Sequence, residues 1–430
     1  MMRFSFLFLS FLALGACSTA PEIRRSLPQD LLSMREKAHP LAGRTLPFGP
    51  LTLAFAIQEA QARAPELAAA EFSLRAQAER LGVAGRLPNP EFALRTEEIP
   101  LGAEGGESDT LVGFRQALPL GGQLGKATAL EQERLRSFQI RRDRLALELE
   151  SRVRGAFAAT MALGQAVNLQ TERLEIARQL ETLQHARVEE GELIPSDLAA
   201  IQTRRARLGT ALEVLQRKHL AAESELSALV GWGDSPLDLQ ESMDAVLDLP
   251  NLERLLSRLE LVPAVAETLS LAQVSRLRAD LADARKIPNI NLELFYRQMG
   301  NGADAFDAAV LFELPWNGKP AAQSRAARLE ASSARQLARL ELQETRLEII
   351  RRHGKLALAM AQARRHENEI LPARAASLET MRLQFQSGEI SWTEFLAHQE
   401  IFAKAQLDGL NGWMELMTTW AGLRPFLLDL

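Results

Sequence analysis

The chain of 430 residues contains one cysteine and six histidines. Because Cys17 stands alone, no disulfide can form within the chain and no cysteine-based metal site is available. His39, His185, His219, His353, His366 and His398 show no paired ligand spacing, which assigns them to surface or packing rather than to a metal. No G-x-S-x-G, phosphate-binding loop or dinucleotide fingerprint occurs, so no catalytic residue, cofactor or metal is assigned and the chain reads as a non-enzyme. Neither sign of charge dominates: 50 Lys and Arg stand against 55 Asp and Glu, interleaved, for a net charge of -5. A nucleic-acid binder usually shows a clustered basic face, so that class is excluded. The acids fall mostly on helix faces as charge pairs, their ordinary role. After the first residues no long apolar run occurs, and no membrane-spanning helix is expected.

What is present begins at the amino terminus. Arg3 precedes the apolar run Phe4 to Leu14, and small residues follow, which is the layout of a secretory signal peptide over residues 1–16. The run is about 11 residues, too short for a spanning helix of roughly 20. "LGAC" resembles the lipobox of bacterial lipoproteins, which implies a diacylglyceryl group on Cys17; the alternative is a small buried thiol. Several acyl chains give stable anchoring where one does not. Ser18, with no Asp there, resembles the outer-membrane sorting class. Residues 17–50, carrying Pro21, Pro28, Pro40, Pro47 and Pro50, read as an extended tether.

Thereafter the chain is written twice. "LPNPEFALR" (87–95) returns as "IPNINLELFYR" (287–297), and "LPLGGQLGK" (118–126) as "LPWNGKPAA" (314–322). "GELIPSDLAAIQ" (191–202) returns as "GEISWTEFLAHQ" (388–399), with a fainter echo of "APELAAAE" (64–71) in "VPAVAETL" (262–269). Four matches in one order at nearly one spacing indicate a tandem duplication. Residues 51–232 form the first repeat, 233–250 the linker and 251–430 the second.

The fold class is mainly α with a small β part, each repeat reading helix, strand, strand, long helix, turn, helix. Strands are expected at about 88–98 and 110–118, then 288–298 and 306–314. Ile290, Leu292, Leu294 and Tyr296 alternate with Asn291, Glu293 and Arg297, and Phe306, Ala308, Val310 and Phe312 oppose Asp307 and Glu313. Period two with one apolar face means a sheet whose other face is polar or wet. Long helices are expected at about 121–190 and 320–386, with Gly354 and Pro372 as kinks in the second. Return helices are expected at 196–230 and 391–424. The short helix before each strand pair makes up most of the missing length.

Lipid admits only helices and closed barrels, because backbone polar groups must be satisfied internally. Four strands cannot close, since transmembrane barrels start at eight. Either several copies pool their hairpins in a membrane, three of them making twelve strands, or the hairpins form a small soluble sheet.

On these residues the chain resembles the TolC family of outer-membrane factors over nearly its whole length after the tether. The resemblance rests on "PNP" at the strand entry, "LPLGG" at the strand-to-helix junction, the two Gly-Glu turns and the duplication. The "LPNPEF" and "LPLGG" wording with the lipobox is closest to the CzcC-like branch serving heavy-metal efflux. The resemblance implies a homotrimer in the outer membrane: a twelve-stranded barrel above a long α-helical barrel reaching into the periplasm. It further implies a periplasmic membrane-fusion adaptor and an inner-membrane resistance-nodulation-division pump as partners. The function implied is a passive exit duct for heavy-metal cations or small toxic compounds. The rival class is a periplasmic helical scaffolding lipoprotein with no pore, which has no use for alternating strands.

The two Gly-Glu turns lie at the helix ends farthest from the strands. Gly191 and Gly388 suit helix C-caps, and Ser196 and Thr393 suit N-caps. By resemblance, Gly191, Glu192, Leu193, Ser196, Asp197, Gly388, Glu389, Ile390, Thr393 and Glu394 form the adaptor-docking tip. Asp197, Phe385 and Glu394 fall on gating positions, with Glu394 either an acidic ring residue or a solvated helix charge. Phe385, Ile390 and Ala397 replace the tyrosine, arginine and acid typical there, so closure is expected through apolar packing or another contact.

Overall fold

The computed structural model describes residues 50–97, 108–190, 195–233, 237–240, 247–299, 302–314 and 316–427; Cys17, Gly191, Glu192 and Leu193 lie outside them. The chain falls into two units, residues 1–48 and 49–430, and the second holds every element below. No helix among the described residues is long and apolar enough to cross a membrane.

The Thr52 hydroxyl caps α1 (Leu53–Arg63), accepting from the Phe55 N–H at 3.4 Å. Helix α2 (Pro65–Ala84) opens on proline, whose missing donor is harmless in a first turn. Strands β1 (Glu91–Glu97) and β2 (Asp109–Leu118) precede α3 (Gln123–Glu189), whose 67 residues span about 100 Å. Helix α4 (Pro195–Val230) returns beside it. The second repeat runs α5 (Leu252–Ser257), α6 (Pro263–Ala284), β3 (Ile290–Gln298), β4 (Asp304–Phe312), α7 (Lys319–Arg365), α8 (Leu371–Gln386) and α9 (Trp392–Leu423).

Three features depart from the sequence expectation, each for a local reason. Strands β1 and β3 start at Glu91 and Ile290 rather than at 88 and 288, since Pro88, Pro90 and Pro288 cannot donate to a ladder. Strand β4 starts two residues early, at Asp304, because the Met299 N–H bonds the Ala303 carbonyl at 2.9 Å and closes the hairpin. The helix expected over 320–386 is interrupted by a π-helical turn at His366–Ile370, while Gly354 lies within regular helix. Pro372 follows at once, and a widened turn relieves the clash between its ring and the preceding carbonyls.

All four strands form one antiparallel sheet in the order β1-β2-β3-β4. The repeats meet directly across β2 and β3, with Leu118 opposite Ile290 and Thr110 opposite Gln298. Both long helices leave the sheet through a left-handed glycine, Gly122 (φ 70°) and Gly318 (φ 68°), a conformation open to glycine at little cost. Near the sheet α3 packs on α2 and α6, and farther away on α4 and α9. Its residues Gln170, Leu174, Ala177, Leu180 and Gln184 are buried at three- and four-residue steps, the seam of a two-helix coiled coil. Leu174 and Ala177 meet Leu208 and Leu212 of α4 there.

Among the described residues, an apolar cluster lies where α5 and α6 meet α7 and the end of α9. It gathers Leu255, Leu259, Val262, Val265, Ile349, Leu356, Met360, Leu423 and Leu427. Linker residue Leu239 pairs with the buried Leu51, so the inter-repeat segment is stitched to the start of the first repeat.

Candidate functional site

Two regions carry features that folding alone does not require: the sheet, and the helix ends farthest from it. In the sheet, burial is inverted relative to a water-soluble protein. Phe92, Leu94, Phe114, Leu294, Val310 and Phe312 are all exposed, and Phe306 is 86% exposed. Cross-strand register places them on one surface: Phe92 opposite Phe114, Leu94 opposite Val112, Phe114 opposite Leu294, and Tyr296 opposite Phe306. Ring centroids lie 5.5 Å apart for Phe92 with Phe114 and for Tyr296 with Phe306.

The other face carries the charged side chains, of which Glu293 and Asp109 are buried and the rest half-buried or exposed. Glu293, 6% exposed, pairs with Arg115 and lies 3.8 Å from Arg95, while Arg115 also reaches Glu91 at 3.5 Å. Arg297 reaches Asp307 at 2.8 Å, Asp109 at 3.1 Å and Glu97 at 3.3 Å. The Arg95 guanidinium lies 4.7 Å from the centre of the Phe295 ring. A contiguous exposed apolar face of this breadth marks a membrane or protein contact. Strands β1 and β4 each have a second edge that no strand among the described residues pairs.

At the far end, the second tip is built by its own sequence. The α8 helix ends in a Schellman motif: Gly388 takes φ 78°, its N–H bonds the Phe385 carbonyl at 3.1 Å, and the Glu389 N–H bonds Gln384 at 2.9 Å. The next helix is capped by Ser391, not by Thr393, which sits inside the first turn of α9. A capping box explains the shift: the Ser391 hydroxyl accepts from the Glu394 N–H at 3.3 Å, and the Glu394 carboxylate accepts from the Ser391 N–H at 2.9 Å. The Ser391 backbone N–H first, and its hydroxyl second, hold the Glu394 carboxyl below the usual carboxylate range. Glu394 is thus tied to its own hairpin.

Phe385 packs on Trp392 at 4.9 Å between centroids and stacks on Phe395 at 5.3 Å, fastening α8 to α9. In the first tip α4 begins at Pro195, so Ser196 lies within the first turn rather than at the cap. Gly191, Glu192, Leu193 and the side chains of Asp197 and Thr393 lie outside the described residues.

A little over two turns into α9 from the second tip, Glu400 joins the two repeats. Its carboxylate lies 3.3 Å from Arg173 of α3 and 3.2 Å from Arg204 of α4. Buried Gln170 orients Arg173, accepting from it at 2.9 Å while donating to the Leu208 carbonyl at 3.0 Å. Burial, ahead of the pull of Glu400, lowers the affinity of Arg173 for its proton.

Sequence reading reached Phe385, Gly388 and Glu394 but missed Ser391, Trp392, Phe395 and the Arg173–Arg204–Glu400 cluster. Ser391 and Glu394 three residues later form a legible S-x-x-E signal. The cluster had none, since its members lie far apart in sequence. The histidines are scattered: His353 bonds the Pro250 carbonyl at 2.8 Å, and His185 lies beside Glu189 at 3.3 Å. Among the described residues no three His, Cys, Asp or Glu side chains converge to hold a metal.

By sequence, no family profile and no curated protein matches the chain. By structure it is similar to a membrane protein of Pseudomonas aeruginosa, at 15% identity and a TM-score of 0.74, covering 87% of this chain and 92% of that one. It is similar to the open state of the Neisseria gonorrhoeae MtrE outer membrane channel, at 16% identity and a TM-score of 0.72 over 87% and 88% of the two chains. CusC, described for transmembrane channel formation, aligns at 14% identity and a TM-score of 0.68 over 87% and 91%. At these identities the likeness is one of fold, that of the TolC-family outer-membrane channels.

Proposed function

We propose that this protein is the outer-membrane exit duct of a tripartite efflux system. The observation that carries the reading is the two-faced sheet: large apolar side chains stand exposed on one face while an ion-pair network centred on Glu293 and Arg297 lines the other. A sheet of that kind is unfavourable in water and suited to lipid. Its open edges call for further strands, and three copies joined β4 to β1 close a twelve-stranded barrel with no edge left. The long helices of the same copies continue it as an α-helical barrel, and Cys17, when acylated, anchors each copy to the same membrane.

In this reading the duct performs no chemistry. Cargo, either heavy-metal cations or small toxic compounds, enters through the tips and diffuses outward, driven by an inner-membrane pump of the resistance-nodulation-division type. A periplasmic adaptor docks on the tips formed by Gly191, Glu192, Leu193, Ser196 and Asp197 and by Gly388, Glu389, Ile390, Thr393 and Glu394. At the mouth, Glu394 supplies acid, which three-fold repetition turns into a cation-attracting ring, and Ser196 and Asp197 stand where latch acceptors would. Phe385 replaces a hydrogen-bonded lock with an aromatic one, supported by its packing on Trp392 and Phe395.

Purified full-length protein in planar bilayers tests the proposal. Large unitary conductance steps are expected, together with a band in gels that shifts on boiling. A monomer that forms no steps would leave only the scaffolding alternative.

A further inference from the structure

Charge is distributed unevenly along the sheet. At the end where strands meet helices every junction carries a cation, and the cations outnumber the exposed acids Glu91 and Glu313 there: Arg86 before β1, Lys126 after β2, Arg285 and Lys286 before β3, and Lys319 after β4. Strand pairing places these junctions on one rim, since Leu118 lies opposite Ile290 and Ile290 opposite Phe312. The loop segments at the other end, 98–108 and 299–303, contain Glu98, Glu104 and Glu107 and neither lysine nor arginine.

The rim cations are of two kinds. Lys286 is held by Asp283 at 2.6 Å, and Lys126 donates to the Asp280 carbonyl at 3.3 Å. Arg86, Arg285 and Lys319 are exposed, and none has a carboxylate partner among the described residues. Lys319 is the first residue of α7, whose first turn contains no acid. A cation there opposes the helix dipole, so nothing among the described residues accounts for its position. Between these charges lie exposed Leu87, Ile287 and Leu314, and Trp316 at 84% exposure. An amphipathic indole beside long-stemmed cations is the side-chain set of the boundary between hydrocarbon and headgroups.

We propose that this rim binds the anionic phospholipid headgroups of the leaflet nearest the helices. Arg86, Arg285 and Lys319 take the phosphates, and Trp316 sits at the acyl boundary. The proposal rests on the reading of the sheet as lipid-facing. Its charge complementarity is one-sided: an anionic leaflet attracts the cationic rim, while the acidic loops at the far end are repelled by such a surface.

The test is quenching of Trp316 fluorescence in full-length protein reconstituted into phosphatidylcholine vesicles. The vesicles carry either brominated phosphatidylglycerol or brominated phosphatidylcholine, and Trp316→Phe supplies the background. Phosphatidylglycerol is expected to quench at a mole fraction lower by about five-fold or more, five-fold being what a single cation supplies at an anionic surface and so the lower bound for three. High salt and the combined Arg86→Gln, Arg285→Gln, Lys319→Gln substitutions should both abolish that preference. Should the triple variant fail to assemble, Lys319→Gln alone is measured and should reduce the preference. Equal quenching by the two lipids, or a preference that survives the substitutions, overturns this proposal and leaves the duct intact. Absence of quenching by either lipid removes the duct reading as well.

Discussion

Replacing Leu294 by arginine separates a lipid-facing sheet from a soluble one. Leu294 is the central residue of β3, paired with Phe114 and Ala308, and is 64% exposed in a single copy. In a soluble sheet an exposed leucine can become arginine within about 0.5 kcal/mol, because the new charge stays in water. In a barrel wall the same position lies near the bilayer midplane, where arginine costs about 2–4 kcal/mol. Three copies carry it, so the assembled trimer loses roughly 6–12 kcal/mol, comparable to the ~5–15 kcal/mol that stabilises a typical native domain. Membrane fractions run unboiled on gels should therefore show the trimer band of the parent and little or none of the Leu294→Arg band. As a control, Glu389→Arg at the far tip should leave the band unchanged. A Leu294→Arg trimer as abundant and heat-resistant as the parent would refute the assignment of this face to lipid.

Gly388→Ala places a side chain on a left-handed residue, which costs about 1–2 kcal/mol locally. Export should fall while the trimer still inserts, measured by efflux of a fluorescent substrate beside the unboiled gel. Phe385→Ala removes the ring that joins α8 to α9 and should raise both unitary conductance and sensitivity to bulky antibiotics in cells. Glu150 links α3 to the turn after α9, reaching Arg424 at 3.0 Å and Arg154 at 2.8 Å. Burial pushes its carboxyl up, but hydrogen bonds from Arg154 and Arg424 outweigh it and the net displacement is downward. A depressed carboxyl stabilises the fold above its ordinary value of 4.5 and loses that contribution as pH falls through the lower folded value. Glu150→Gln should accordingly reduce the thermal midpoint at pH 7, and the difference from the parent should shrink in acid below that value.

Much of this architecture could be read from the chain because its signals are local. Alternating Ile290, Leu292, Leu294 and Tyr296 mark a strand with unlike faces, and the long helices need only the absence of proline and the presence of strong helix formers. The turn at Gly388 is equally local, since a Schellman end is settled by a few neighbouring residues. Other features depend on partners distant in sequence. Which carboxylate Arg173 and Arg204 share is decided only when α9 lies across α3 and α4, and neither helix announces it. The π-helical turn at His366 likewise follows from fitting Pro372 into a helix that neighbours hold in place. Exposure is the clearest case. The order of residues determined that the strands have one apolar and one charged face, because side chains alternate along any strand. Only the folded chain decided how those faces are used, because the ion pairs that bury Glu293 and Asp109 join residues of different strands that the pairing of β2 with β3 brings together.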